Sequence, residues 1–174
     1  MPKLIKNGQV IDDAAQILVL DETQAPEALT LPDGPLFVPL AVWQAHKGQI
    51  SGRASVGVWL DSHENVDEIA DDLEGITAIA LNFPKFTDGR AYSAAALLRS
   101  RYGFKGEIRA IGDVLRDQFF FMQRCGFDAI QPKAGKYSDA QLEEALASLK
   151  DFSTPYQAAI DQPEPLFRRA QRAA

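Results

Sequence analysis

The chain has 174 residues, 46% of them hydrophobic and 24% charged, and a formal net charge of −6. That length fits one domain with a sizeable core, and the acidic balance argues against nucleic acid as the main partner. The single cysteine, Cys125, excludes an internal disulfide, a self-contained iron–sulfur centre and a cysteine-rich zinc site.

Residues 3–11 place Asn7-Gly8 between short apolar runs, which predicts a hairpin with a type I′ turn. Residues 17–20 (ILVL) are a further strand candidate, so residues 1–20 form an N-terminal hairpin and strand region. Pro26, Pro32, Gly34 and Pro35 mark a loop. Leu36 to Leu40 reads as extended and Ala41 to Lys47 as a short helix.

From Val56 the pattern becomes regular. Compact apolar runs at 56–60, 76–83, 107–111 and 127–130 read as strands buried on both faces. Helical stretches follow each one. Asn65 is the expected cap of a helix over 66–74, with Val66, Ile69, Ala70 and Leu73 inward. Asp88 or Ser93 is the expected cap of the next, with Ala94, Leu97 and Leu98 inward and Gly103 as its stop. Asp113 sits where a cap belongs for a helix over 114–125, with Leu115, Phe119 and Met122 buried. Ser138 caps a last helix through Leu149.

Strands alternating with helices of this length imply about four parallel βα units. Their periodicity fits an open α/β sheet with helices on both faces, or a half-barrel-like arrangement. The expected organisation is one α/β domain over residues 1–152, then a proline-containing C-terminal tail over 153–174. No apolar run reaches the ~18 residues of a membrane span, and the N-terminus lacks the apolar core of a signal peptide. The expectation is therefore a cytoplasmic protein without a membrane partner.

In parallel α/β folds, ligands bind beyond the carboxyl ends of the strands. The groups there are Asp61 and His63, then Asn82, Lys85, Asp88, Gly89 and Arg90, then Gly112, Asp113, Arg116 and Asp117, and finally Gln131 and Lys133. Charge is segregated in the same sense. Residues 80–126 hold eight Lys/Arg against four acids, and 61–74 hold seven acids with no Lys or Arg, a pattern that suits an anion site or a charged partner surface. Arg90 and Arg116 are candidates for forked donation to a small anion. Asp88, Asp117 and His63, the last paired with Asp61, are the candidate proton carriers. Single charges on helix faces are ordinarily just solvated, and Asp88 and Asp113 also suit turns and caps. Arg99, Arg101 and Arg124 fall late in helices, where cations suit the dipole, and read as structural. Cys125 reads as a small buried hydrophobe. Phe120 or Phe121 is a candidate contact in a homo-oligomer. No metal-ligand spacing, G-x-S-x-G, P-loop or G-x-G-x-x-G occurs.

At FPKFTDGRAYS, LLRSRYGFKGEIRAIGDVLRDQ and RCGFDA the chain resembles a bacterial family of unknown function. Genes of that family sit beside assimilatory sulfite reductase, and its members are often labelled as oxidoreductases of sulfite reduction. The similarity runs over roughly Val56 to Ala129. Alanine stands at 91, where the family often has glycine. The resemblance implies a role in sulfate assimilation and cysteine biosynthesis, near an NADPH- or ferredoxin-dependent hemoprotein. It carries over no catalytic residue. Its motifs contain Lys85, Arg90, Tyr92, Ser93, Asp113, Arg116 and Gln118, which are the candidate anion- or partner-binding residues. No cofactor motif is evident, so any NADPH, flavin or heme would come from outside. Three readings follow. One is an auxiliary protein docking on sulfite reductase or its electron donor. The second is an oxidoreductase acting on a small anion such as sulfite. The third is a structural oligomer without a ligand site.

Overall fold

A computed structural model describes residues 3–21, 23–150 and 154–169. The expected domain boundary at 152/153 and the end of the tail beyond 169 lie outside the described residues.

Strands β1 (Lys3–Lys6) and β2 (Gln9–Asp12) form the expected hairpin. Asn7 and Gly8 both take positive φ, 51° and 74°, as a type I′ turn requires. The strand candidate at 17–20 shortens to β3, Gln16–Ile17. Next come β4 (Leu36–Pro39) and α1 (Leu40–Ile50), which runs on past Gly48. They make a fifth βα unit ahead of the four expected. The regular part follows as β5 (Val56–Leu60), a 3-10 helix over Val66–Gly75, β6 (Ala78–Phe83), α2 (Arg90–Ser100), β7 (Glu107–Gly112), α3 (Phe119–Cys125), β8 (Ala129–Pro132) and α4 (Asp139–Ser148). A short α5 (Leu166–Arg169) closes the described chain. No helix among the described residues is long and apolar enough to cross a membrane.

All eight strands share one sheet in the order β2-β1-β8-β7-β6-β5-β4-β3. Strands β3 to β8 are parallel and lie in chain order, and the hairpin adds antiparallel to β8. Right-handed crossovers between neighbours taken in sequence put the helices between the parallel strands on one face. The sheet is therefore a curled half-barrel and not a sheet covered on both faces. A three-residue link makes the curl compulsory. The two edge strands, β2 and β3, are joined only by residues 13–15, a stretch that reaches at most about 14 Å. Eight flat strands would hold their edges about 34 Å apart.

The two faces carry different contents. Val58, Leu60, Ile79, Leu81, Ile108, Ala110 and Ile130 point to the helices, where Trp43, Ala95, Leu98, Phe119 and Met122 meet them. The concave face buries Ala15, Phe37, Ala80 and Ile111. In the middle of it stands Arg109, 4% exposed. It pairs with Asp13 on the link, donates from Nε to Glu107 (2.7 Å) and from Nη1 to Gln131 Oε1 (2.9 Å), and lies 4.6 Å over the Phe37 ring. Lys6 also pairs with Glu107, so two cations and two carboxylates balance inside the curl.

Three local expectations are corrected. Residues 66–75 form a 3-10 helix instead of an α-helix. Its i, i+3 row carries Val66 and Ile69 inward and brings Asp72 under the buried Trp43, whose Nε1 donates to it at 3.1 Å. Helix α2 buries Leu98 as expected, with Ala91 and Ala95 beside it, while Ala94 is partly buried and Leu97 is left 39% exposed. The helix expected over 114–125 splits into a 3-10 turn at Arg116–Gln118 and α3, and Val114 takes the core position expected for Leu115. The Ser138 cap is present, accepting from Gln141 N–H at 3.3 Å.

Of the three arginines expected to be structural, Arg99 and Arg124 are tied into the fold, and Arg101 is exposed with its guanidinium 5.5 Å over the Tyr102 ring. Arg99 donates to the Gly126, Phe104 and Gly106 carbonyls at 3.0, 2.7 and 2.9 Å and pairs with Asp128. Arg124 is buried and reaches the tail, donating to Gln157 O at 2.6 Å, while Ile160 N–H returns to its carbonyl at 3.0 Å. His46 is likewise structural, with Nε2 2.8 Å from Pro26 O.

Replacing Arg109 with methionine strands Asp13 in the curl and leaves Glu107 with Lys6 alone. The expected loss is about 3–5 kcal/mol, read from urea unfolding, and a loss below about 1 kcal/mol would remove Arg109 from this role. Burial pushes the Asp13 carboxyl up, but the hydrogen bond and charge of Arg109 outweigh it and hold the group below its ordinary value. Its contribution should therefore be complete above the ordinary carboxylate range and fade as pH falls through the lowered folded value. The Arg109→Met chain should lack that acid-side loss.

Candidate functional site

The carboxyl ends of β5 to β8 gather most of the residues singled out in the sequence, in two adjoining clefts that share Asn82. The first, about 230 Å³, lies between the loop after β5 and the start of α2, and includes Asp61, Ser62, His63, Glu64, Arg90 and Ser93. The second, about 620 Å³, is the mouth of the curl itself, with Ile17, Ile111, Gly112, Asp113, Gln131 and Lys133 around it.

In the first cleft Arg90 is already engaged. Its Nε and Nη2 donate to the two carboxylate oxygens of Asp88 at 3.0 and 2.6 Å, and Nη2 also reaches Ser62 Oγ at 2.9 Å. Asp88 further accepts the Arg90 N–H at 3.2 Å, but the N-cap position of α2 is Gly89, one residue on, and Ser93 lies inside that helix, so neither expected cap is formed. The Arg90 guanidinium holds the Asp88 carboxyl far below the carboxylate range. A group so firmly ionised is a poor proton carrier at neutral pH. His63 Nδ1 stands 3.6 Å from Asp61 Oδ2 on an exposed side chain, beyond hydrogen-bond length. Glu64, not anticipated from the sequence, is the carboxyl in this cleft that burial pushes up.

Arg116 turns elsewhere. Its Nε donates to Ser148 Oγ at 3.2 Å and its Nη1 lies 3.7 Å from Glu144, both on α4. Arg90 and Arg116 therefore do not converge on one anion. Tyr92 is an aromatic packing residue, 5.1 Å from the Phe83 ring centroid and 5.0 Å from that of Phe121, and burial pushes its hydroxyl up to about 12. Lys85 and Asp117 are exposed, with no hydrogen-bond or ion-pair partner for their side chains among the described residues.

Asp113 and Gln118 work as ties between loops. Asp113 caps no helix. Its Oδ2 accepts the Phe86 N–H at 3.0 Å, its Oδ1 takes Lys136 from the loop after β8, and its own N–H extends the sheet to Phe83 O at 2.7 Å. Gln118 Oε1 accepts the Leu115 N–H at 3.0 Å while its Nε2 donates to Phe86 O at 2.7 Å. Both backbone groups of Phe86 are thus held by side chains, and its ring is left 48% exposed. Phe121, one turn beyond Gln118, is 53% exposed. Sequence reading passed over Phe86, whose only signal was a large apolar residue inside a polar turn. It also passed over Arg109, whose signal was a charged pair at 107 and 109 on one face of a strand expected to be buried.

Gly112 shapes the rim. Its φ is +98°, and a Cβ there would sit 2.5 Å from Phe83 O and 2.6 Å from Asn82 Oδ1. Only glycine combines that dihedral with that approach.

The fold and these ties define a singly wound, curled α/β protein whose carboxyl-end loops are cross-braced by side chains. A family model described as a bacterial protein of unknown function (DUF934) matches residues 57–167, and the chain belongs to that family. No curated protein and no solved structure matches it.

Gly112→Ala should cost about 1–3 kcal/mol from backbone strain alone, with further loss from the clash, measured by chemical denaturation. The hydrogen bonds from Lys136 and from the Phe86 N–H lower the Asp113 carboxyl. Its titration followed by carboxyl NMR should fall below the ordinary range and move back toward it in Lys136→Met. An unchanged titration would remove Lys136 as the cause.

Proposed function

We propose that the protein is an auxiliary component of assimilatory sulfite reduction that docks on sulfite reductase or on its electron donor. The metabolic assignment rests on the neighbourhood of sulfite reductase that the sequence resemblance implies. The observation favouring docking over catalysis is Phe86. A loop aromatic held at both its N–H and its C=O, with its ring in solvent, has lost its backbone freedom before any partner arrives. Such rigid aromatic anchors are what binding hot spots are made of.

The surroundings suit that role. Phe121 adds a second exposed ring and Lys85 a cation without an ion-pair partner among the described residues. The loop charges nearby are spent on one another, Arg90 on Asp88 and Asp113 on Lys136. On the 3-10 helix Asp71 and Glu74 are exposed and have no ion-pair partner among the described residues, which supplies an acidic surface to steer an encounter.

Co-purification of the tagged full chain with sulfite reductase and its electron donor, at low salt where charged encounters are strongest, is the test. Association that weakens by about thirtyfold in Phe86→Ala, an effect near 2 kcal/mol, is the expected result. Absence of binding to either protein, or Phe86→Ala binding like the parent, would end the docking reading.

A further inference from the structure

The mouth of the curl carries polar groups that neither the docking surface nor the fold uses. Asn82, Ile111 and Gln131 form one row across β6, β7 and β8. Each of the two amides is turned by an ionised neighbour behind it. Asn82 Nδ2 donates to Asp61 Oδ1 at 3.0 Å. A carboxylate only accepts, so the amide nitrogen must face it and the carbonyl oxygen must face away. Gln131 Oε1 accepts from the buried Arg109 at 2.9 Å. A guanidinium only donates, so here the oxygen faces inward and the NH₂ group faces the cleft. Neither Asn82 Oδ1 nor Gln131 Nε2 has a hydrogen-bond partner among the described residues. Gly112 keeps the space above them open, because a side chain there would meet Asn82 Oδ1.

The result is an oriented acceptor on one side of Ile111 and an oriented donor on the other. Lys133 stands at the rim beside Gln131, without an ion pair among the described residues, and the rim carboxylate Asp113 is neutralised by Lys136. Ile17, Ile111, Pro84 and Pro132 supply apolar wall. The volume of about 620 Å³ lies in the range of small-molecule sites.

We propose that this mouth binds a small organic acid carrying a hydrogen-bond donor close to its carboxylate, of the α-amino or α-hydroxy acid class. Lys133 and the Gln131 NH₂ take the carboxylate, and the Asn82 carbonyl takes the ammonium or hydroxyl. Two strand spacings separate the Asn82 and Gln131 backbones by about 10 Å. Two hydrogen bonds of about 2.9 Å then leave about 4 Å or less between the donor and acceptor of the ligand. That is the separation across one substituted carbon. The Asn82 oxygen disfavours a bare inorganic anion, which brings no donor to meet it.

The proposal is tested on the full chain by titration calorimetry and amide NMR, with L-serine and L-lactate as probes and acetate and sulfate as comparators. Binding of L-serine or L-lactate is expected, with acetate and sulfate weaker by about tenfold or more, the worth of one charge-assisted hydrogen bond. Lys133→Ala should lose a similar factor. Gln131→Glu keeps an oxygen for Arg109 while removing the donor, so it should retain the fold and lose the ligand. Phe86→Ala should bind the probe like the parent chain, which keeps this result separate from the docking test. The proposal is overturned if neither probe binds, if acetate or sulfate binds as tightly as both, or if Lys133→Ala and Gln131→Glu, folded by circular dichroism, bind like the parent.

Discussion

The arrangement depends on one buried cation. Arg109 projects from the middle of β7 into the concave side of the sheet and holds Asp13 on the short link between the two edge strands. A guanidinium taken out of water is costly unless its donors and charge are met. Here Asp13, Glu107, Gln131 and the Phe37 ring meet them. The link can reach only if the sheet curls, and the ion pair fixes where along β7 it lands. Sheet curvature and a satisfied buried charge therefore require each other.

That curl decides what the carboxyl edge can be. Placing β3 to β8 side by side in chain order puts the crossover helices outside and leaves the concave face to a few side chains. Ala15, Phe37, Ala80 and Arg109 fill its lower part. Above them the row of Asn82, Ile111 and Gln131 opens to the mouth. Arg109 reaches this edge as well, because its bond to Gln131 sets which end of that amide faces the cleft.

The loops around the mouth are braced more than they are reactive. Arg90 and Asp88 close on each other at the start of α2. Asp113 joins the loops after β6, β7 and β8 through Phe86 and Lys136, and Gln118 completes the grip on Phe86. Asp88, Arg90, Asp113 and Arg116 are engaged by neighbouring side chains, whereas His63 and Asp117 stand exposed. What projects beyond these ties is the Phe86 and Phe121 rings together with Lys85.

The sequence by itself determined the units. Compact apolar runs at 56–60 and 107–111, the Asn7-Gly8 turn, the Ser138 cap and the glycine stops at 103 and 126 are local signals, and each reports local backbone geometry. It also determined which loops share an edge, since the strands of parallel units end on one side of the sheet. Only the tertiary structure decided between an open two-sided sheet and a one-sided curl, because strand order is a relation between distant segments. It likewise decided partners. Asp113 reads as a helix cap in the sequence, but its acceptors were satisfied by Phe86 and Lys136, 27 and 23 residues away. Arg116 and Arg90 share a sequence context yet turn to different neighbours, because α4 offers one a carboxylate and the loop after β6 offers one to the other. Arg109 was hidden for the same reason: a charge in a buried strand makes sense only once Asp13 is brought across the curl to meet it.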